Sequence, residues 1–278
     1  MHNISNDIKL IVHNIRFLSK HFDDLSIFLD SLKNFEPDVI ILTETWLSED
    51  FLKYYTIEGY IAYIAQRADG TRSGGVVTYI KNKISHSHVL HSNQYFQAVQ
   101  LKIESKFCRT PNLKQIEIIG LYGDTRKPQI KFIEEIDHLF LNRLSQNLVI
   151  TGDFNINLFS DESHYLLNKL SIAGLKSLIN EPTRRGINKH GQTVETCLDH
   201  LYVRSVDASA SAVWTGNSDH VVIKACVHFK LLGNHQNPNN DQQQQQYKTF
   251  NYTNWDKFGK LLAKEGWNNL NLTTVDDL

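Results

Sequence analysis

The sequence is poor in cysteine, and its three cysteines, Cys108, Cys197 and Cys226, form no Cys-x-x-Cys pair. An odd number of widely spaced cysteines indicates neither a disulfide framework nor a thiolate zinc site. We therefore expect reduced thiols in an intracellular protein, each serving as a small buried apolar residue.

Long apolar segments and an excess of charge are also missing. No apolar run approaches the roughly 20 residues needed to span a bilayer, and residues 1–9 lack the basic-then-apolar layout of a signal peptide. The 29 basic residues nearly balance the 30 acidic ones, unlike the charge of a histone-like binder. A balanced total still allows one basic face, so nucleic acid stays a candidate partner and a membrane does not.

The apolar residues that are present alternate between strand-like and helix-like spacing. Helical spacing covers 22–35, 129–144 and about 163–173. Strand patterns cover 8–13, 39–42, 76–80, 98–103, 116–121, 148–150, 198–203, 208–214 and 221–229. Several strands follow one another with turn-length gaps. The pattern predicts an α/β protein, a four-layer sandwich in which two mixed β-sheets pack face to face with helices outside.

The composition changes near residue 231, which predicts a domain boundary. Residues 1–230 carry the apolar pattern of one domain with its own core. Residues 231–248 are rich in Asn and Gln, including five consecutive glutamines, and we expect a flexible linker. Apolar periodicity returns in 249–278, where the spacing predicts one short helix over 255–262.

Polar residues sit where several of the predicted strands end. They are Asn14, Glu44, Tyr122, Asp153, Asn155, Asp199 and the Ser218-Asp219-His220 turn. Each alone is typical of a solvated strand end or an ordinary turn. Together they are the groups that build binding sites in layered α/β proteins, because strand ends are rigid and face solvent.

Their chemistry suits phosphodiester hydrolysis, which needs a divalent metal, an activated water and donors for the developing charge. Mg²⁺ prefers carboxylate oxygens and keeps several waters, so Glu44 fits as a ligand. Asp153 suits activation of water, and Asn155 suits contact with the phosphate or the leaving group. Asp219 is placed to orient His220, whose imidazole can donate to a phosphate oxygen.

At these residues the chain resembles the endonuclease/exonuclease/phosphatase superfamily. Six blocks match in the family's order, from about residue 8 to residue 229: NIR at 14–16, LTETW at 42–46, GLYG at 120–123, GDFN at 152–155, LDHLYV at 198–203 and SDH at 218–220. One departure stands out. Where the family commonly has Tyr-Arg-Pro-Pro, this chain has Tyr122-Gly123-Asp124, so the basic residue is displaced.

The resemblance implies a site and a cofactor. Glu44, Asn14 and Asp219 would bind Mg²⁺ or Mn²⁺, and Asp153 would orient or deprotonate the water. The remaining implied roles are phosphate contact by Asn155 and His220, phosphate binding or leaving-group assistance by Tyr122, and support of His220 or the leaving group by Asp199.

Other blocks resemble the endonuclease domain of non-LTR (LINE-type) retrotransposon polyproteins. They are NIRFLSKHFDDL at 14–25, PDVIILTETWL at 37–47, RSGGVVTYIK at 72–81, NEPTRRG at 180–186 and the tail FNYTNWDKFGKLLAKEGW at 250–267, which is similar to the connector before a reverse transcriptase. The resemblance implies a nick in double-stranded DNA that leaves a 3′-hydroxyl, in the nucleus if the DNA is chromosomal. We expect five loop arginines to contact the DNA backbone: Arg67, Arg72, Arg126, Arg184 and Arg185.

Three alternatives stay open at this point. The first is another enzyme with the same core, namely an abasic-site endonuclease or a phosphoinositide or sphingomyelin phosphoesterase. The second is a decayed nucleic-acid-binding domain without activity. The third is a protein-interaction scaffold, which only the glutamine tract supports.

Overall fold

A computed structural model describes residues 7–104, 115–142, 147–215 and 218–228. The predicted linker and the predicted helix over 255–262 lie outside these residues, as does Cys108. Within the described residues, no helix is long and apolar enough to cross a membrane.

The strands of the described residues form two six-stranded sheets and one separate hairpin. In chain order they are β1 (Asp7–Asn14), β2 (Val39–Thr43), β3 (Tyr60–Ala65), β4 (Val76–Lys81), β5 (His86–Ser92), β6 (Phe96–Glu104), β7 (Gln115–Gly123), β8 (Asn147–Asp153), β9 (Lys176–Ser177), β10 (Arg184–Ile187), β11 (Thr193–Thr196), β12 (Asp199–Arg204), β13 (Asp207–Val213) and β14 (Val222–His228). The first sheet has the order β13-β14-β1-β2-β4-β3, and the second β5-β6-β7-β8-β12-β9. β10 and β11 form the hairpin.

Both sheets are mixed. In the first, β1 runs parallel to β2 and antiparallel to β14. In the second, β7 runs parallel to β8, and β12 runs antiparallel to β8. The helices are α1 (Leu18–Ser31), α2 (Glu49–Leu52), α3 (Gln129–Ile136), which continues as a π-helix (Asp137–Leu141), and α4 (His164–Ile172), which follows a short 3₁₀ turn (Asp161–Ser163).

Strand alternation sorts the apolar side chains into three cores, as a period of two requires. On β1, Leu10 and Val12 point into a core shared by the two sheets, while Ile11 points into the outer core under α1. On β7, Ile118 faces the shared core and Ile119 faces the core under α3 and α4. The predicted four-layer sandwich of two mixed sheets with helices outside is therefore confirmed.

Most predicted elements are present, with shifted ends. The helix predicted over 22–35 is α1, which begins at Leu18 and ends at Ser31. The long helix predicted over 129–144 is an α-helix only as far as Ile136, after which the π-helix follows. The sequence analysis missed α2, β3, β5, β9 and the β10–β11 hairpin. β5 was missed because this exposed edge strand, HSHVLHS, has little apolar alternation.

Candidate active site

The carboxyl ends of the parallel strands bring polar side chains of both sheets to one edge of the sandwich. Asn14 ends β1, and Asp153 ends β8. The Asn14 amide donates to Asp153 Oδ2 across the gap between the sheets, with an N–O distance of 2.8 Å. In the second sheet, Tyr122 and Asp199 are the register partners of Asp153 on either side. The predicted site residues of the two sheets therefore meet.

Asp153 is fully buried at the centre of this edge. Its Oδ1 accepts the backbone N–H of Asn155 at 2.9 Å, which fixes the carboxylate from a second direction. Burial raises the pKa of Asp153 to about 7, with the negative charges of Asp199 and Glu44 adding to that rise. Only glycine fits at position 152, directly before Asp153, because its φ is +134° and a Cβ there would lie 2.0 Å from the Leu121 carbonyl oxygen.

Asp199 and His220 form a buried pair beside Asp153. His220 Nδ1 lies 2.7 Å from Asp199 Oδ2, and both side chains are about 95% buried or more. Burial lowers the pKa of His220, but the charges of Asp199, Asp153 and Asp219 outweigh it and raise the pKa to about 9. Single donor atoms of Asp153, Asp199 and His220 all lie within 4.8 Å of one another. The imidazole is therefore a cation near neutral pH, held between carboxylates.

Two hydroxyl residues position this pair, and the sequence analysis gave them no role. Thr183 Oγ1 accepts the backbone N–H groups of Leu198 and Asp199, each at 2.9 Å, and thereby fixes the start of β12. Ser218 Oγ accepts the His220 N–H at 3.1 Å and donates to the Asn14 carbonyl at 3.2 Å. Their only signal in the sequence was membership of the NEPTRRG and SDH blocks.

Tyr122, Asn155 and Glu44 lie around the cluster. Burial, together with Glu44 and Asp153, raises the pKa of Tyr122 well above its ordinary value, so the hydroxyl stays protonated. Asn155 has a left-handed φ of 52°, and its amide donates to the Gly123 carbonyl at 2.8 Å. Glu44 also has a left-handed φ, of 50°, and is partly exposed. Its negative charge is among the causes that raise the pKa of Tyr122 and of Asp153.

The structure gives Asp219 a different contact from the one expected. Both of its oxygens accept from Arg16 Nη1 at 3.1 Å, and Oδ2 also accepts from Arg184 Nε at 3.0 Å. The carboxylate bonded to His220 is Asp199 instead. Asp219 thus holds two arginines at the mouth of the site.

The expectation that five loop arginines contact the DNA backbone is wrong for Arg67, and the predicted loop position is wrong for two others. Arg67 is only 6% exposed and donates to Asp124 at 2.6 Å, so it is part of the core. Arg184 and Arg185 lie on strand β10 and not in a loop. The structure also shows what replaces the basic residue that the family commonly has after the tyrosine of the GLYG block. Asp124 follows that block, is buried, and binds Arg67 from β3's end and Arg126 from its own turn.

Comparison with known proteins identifies the family of the chain. Residues 11–220 match the endonuclease/exonuclease/phosphatase family. The chain belongs to that family. No curated protein matches the sequence significantly.

Solved structures with the family's fold superpose on most of the chain. An AP endonuclease, LMAP from Leishmania major, has a TM-score of 0.63 at 16% identity, covering 80% of this chain and 88% of that one. The endonuclease domain of TRAS1, a telomere-specific non-LTR retrotransposon, has a TM-score of 0.58 at 13% identity, covering 80% and 99%. TDP2 from C. elegans has a TM-score of 0.54 at 14% identity, covering 80% and 75%. At these identities the likeness establishes the fold.

Members of the endonuclease/exonuclease/phosphatase family depend on a divalent metal, and the residues of this site fit one. Asn14 Oδ1 is buried and has no hydrogen-bond partner among the described residues, an arrangement that costs free energy unless a ligand fills it. Glu44, Asp153 and Asp199 concentrate negative charge around it. Carboxylate and amide oxygens are the donors that hard divalent cations prefer.

Proposed function

We propose that this chain is a divalent-metal-dependent phosphodiesterase that nicks double-stranded DNA and leaves a 3′-hydroxyl, as the retrotransposon endonucleases do. One observation carries the proposal: a buried Asp199–His220 pair and a buried Asp153 converge where the two sheets meet, beside a groove lined by arginines. A cationic imidazole and a nearby basic surface suit a phosphodiester polyanion.

The metal, which we propose to be Mg²⁺ or Mn²⁺, would be held by Glu44 and by Asn14 Oδ1. When bound, it would stabilise negative charge on the phosphate. Asp219 was expected to share this task, and its bonds to two arginines make it the least suited of the three predicted ligands.

We assign the remaining residues of the site the following roles. Asp153, whose pKa lies near 7, would accept a proton from the attacking water. The water oxygen would bond to phosphorus, the P–O3′ bond would break, and the departing O3′ would take a proton from solvent. Protonated His220, held by Asp199, would donate to a non-bridging oxygen. Tyr122 and Asn155 would hold the phosphate in line.

An abasic-site endonuclease is the second candidate, since an AP endonuclease shares the fold of this chain as the retrotransposon endonuclease does. Both candidates cut beside a 3′-oxygen and differ in the DNA they select. Association with a reverse transcriptase, suggested by the sequence of residues 250–267, is a proposal for the parent polyprotein. If the target is chromosomal, the reaction takes place in the nucleus.

Incubation of the purified chain with supercoiled plasmid tests the proposal. We expect conversion to the open circle with Mg²⁺ and none with excess EDTA. A polymerase should extend directly from the nick, because the nick carries a 3′-hydroxyl. Undiminished cutting in EDTA, or nicks that need end repair before extension, would contradict the mechanism. The same plasmid after mild depurination distinguishes the candidates, since cutting confined to the depurinated sample would favour the abasic-site enzyme.

A further inference from the structure

We propose that Phe17 and Trp46 form an aromatic step that stacks on one unstacked base of the substrate strand next to the scissile phosphate. This rests on the proposed function for the nature of the substrate. The step would make the enzyme select nucleic acid in which a base beside the cut can leave the helix.

The two rings lie together on the wall of an open groove. Their centroids are 5.5 Å apart and their planes are inclined by 33°. Both line a groove of about 730 Å³, which has room for a nucleotide. Phe17 is 39% exposed, whereas the next residue, Leu18, is fully buried. A ring that only completed the core would be covered as Leu18 is.

Strained backbone holds both rings in this place. Phe17 has a φ of 86° and Trp46 a φ of 51°, left-handed values that non-glycine residues rarely adopt. The Phe17 N–H donates to the Glu44 carbonyl at 2.8 Å, which joins the two loops. The Trp46 N–H donates to the Gly74 carbonyl at 3.0 Å, which joins the second loop to the segment before β4. Such strain persists where the surrounding structure fixes it, and it gathers at functional sites.

The same hydrogen bonds connect the Phe17–Trp46 aromatic step to the segments that carry the catalytic cluster. Phe17 follows Asn14 by three residues, and Trp46 follows Glu44 by two. Gly74, which accepts from Trp46, lies against the ring of Tyr122, so that a Cβ there would be 2.9 Å from Tyr122 Cε1. A base resting on the two rings would therefore belong to a nucleotide next to the phosphate at the cluster.

The charge of the groove identifies the occupant as a nucleic acid. Its basic side chains are Arg16, Lys20, Arg184 and Arg185, against the one carboxylate of Asp219. Its remaining titratable side chain, His21, is bonded to Asp24. Aromatic rings beside a basic channel are the combination by which proteins bind unpaired strands, because every base offers a stacking face.

A cycle of protein and base changes tests this inference by binding alone. A short oligothymidylate is prepared in forms that each lack one base, with an abasic analogue in its place. Affinities are measured by fluorescence anisotropy in EDTA, so that no strand is cut. In the parent, one abasic position should weaken binding about tenfold. In the F17L/W46L double variant, binding should already be about tenfold weaker, and the abasic change at that position should have no further effect.

Phe51 and Tyr54 provide the matched control. They form a second exposed aromatic pair, with ring centroids 6.3 Å apart, and they do not line the groove. F51L/Y54L should bind like the parent and keep its abasic-position effect. The conservative W46Y variant should also keep most of the affinity, which separates loss of stacking from loss of fold should the double variant be unstable.

Three results would overturn the step: equal binding by F17L/W46L and the parent, equal loss in both double variants, or an abasic effect that persists without the two rings. Plasmid nicking on the same preparations separates this inference from the proposed function. Nicking without base–ring coupling refutes the step and leaves the nuclease. Coupling without nicking refutes the nuclease and leaves an aromatic step that binds unpaired strands.

Discussion

Two histidine–aspartate pairs lie at opposite ends of strand β14. His220 precedes β14 and bonds Asp199 at 2.7 Å, while His228 ends β14 and bonds Asp7 of β1 at 2.9 Å. The side chains of the first pair are 5% and 3% exposed, and those of the second 46% and 30%. Residue type and bond length are nearly equal, so only the surroundings distinguish the two pairs.

The surroundings differ because the two sheets converge at one end. His220 lies where Asn14 of the first sheet reaches Asp153 of the second, so three carboxylates act on a buried ring. Charges interact strongly there, since little water screens them. His228 faces solvent, where water screens its partner and a single ion pair contributes little. Convergence of the sheets, more than the residues themselves, makes one pair suited to catalysis.

Removal of each imidazole should produce the largest difference between the two ends. We expect His220→Ala to lower the rate of plasmid nicking roughly 10²–10³-fold, as loss of one group that stabilises transition-state charge typically does. His228→Ala should stay within about twofold of the parent. Rates are compared at equal protein concentration, with circular dichroism confirming that both variants are folded. Equal losses in the two variants would place the reaction elsewhere.

The buried arginine extends the comparison to stability. Arg67 and Arg126 both bind the buried Asp124, but their side chains are 5% and 52% exposed. We expect Arg67→Met to lower the free energy of unfolding by about 3 kcal/mol, because it leaves a buried carboxylate short of its partner. Arg126→Met should lower it by less than about 1 kcal/mol.

Urea denaturation measures both values, and the parent sets the reference. The result would contradict the assignment of Arg67 to the core if its replacement weakened DNA binding while leaving stability unchanged. That outcome would return Arg67 to the DNA-contacting set expected from the sequence.

The sequence predicted the layered fold because the central strands are apolar on both faces. It also identified Asn14, Asp153, Asp199 and His220, which the structure brings together, because their residue types and order along the chain carry the signal. It could not assign the partners. Which carboxylate bonds His220 depends on strand register, and a one-residue shift reverses every side chain. The hairpin was missed because its arginines and polar residues have no apolar alternation.

A comparison of two stacked histidines, His200 and His88, should show how burial of a histidine affects stability in acid. His200 stacks on Phe154 with ring centroids 4.6 Å apart, and His88 stacks on Tyr63 at 3.8 Å, each at 25°. His200 is fully buried, and burial lowers its pKa from 6.5 to about 4. As pH falls below 6.5, the unfolded chain binds a proton that the folded chain resists. Stability is therefore complete above pH 6.5 and is lost as pH falls towards 4.

Replacement by phenylalanine keeps the stacking and removes the titration. Between pH 7.5 and 4.5, the parent should lose about 2–3 kcal/mol more unfolding free energy than His200→Phe, by the pKa difference. His88→Phe, which replaces an exposed stacked histidine, is the matched control for the substitution itself. Urea titrations at several pH values give the comparison. Parallel curves for the parent and His200→Phe would mean that the ring titrates normally in the folded protein.

The smallest expected effect concerns two exposed ion pairs, one in the groove and one on helix α3. Arg185 bonds Glu195 at 2.7 Å with side chains 53% and 42% exposed, and Lys131 bonds Glu134 at 2.7 Å with side chains 57% and 44% exposed. Only Arg185 lines the groove, where its guanidinium also lies 4.2 Å from the Trp214 ring centroid.

If the groove receives the DNA backbone, Arg185 replaces a counterion on one phosphate. The slope of log affinity against log salt should then fall by about 0.9 in Arg185→Gln, since each neutralised phosphate contributes about that much. Lys131→Gln removes the same charge from an equally exposed pair on α3, and its slope should equal the parent's. Anisotropy titrations of a duplex at several salt concentrations in EDTA measure both. An unchanged slope in Arg185→Gln would exclude this side of the groove as a phosphate contact. An equal fall in both variants would mean that net charge alone governs the salt dependence. A fall confined to Arg185→Gln would show that, of two similarly exposed ion pairs, only the one in the groove contacts the substrate.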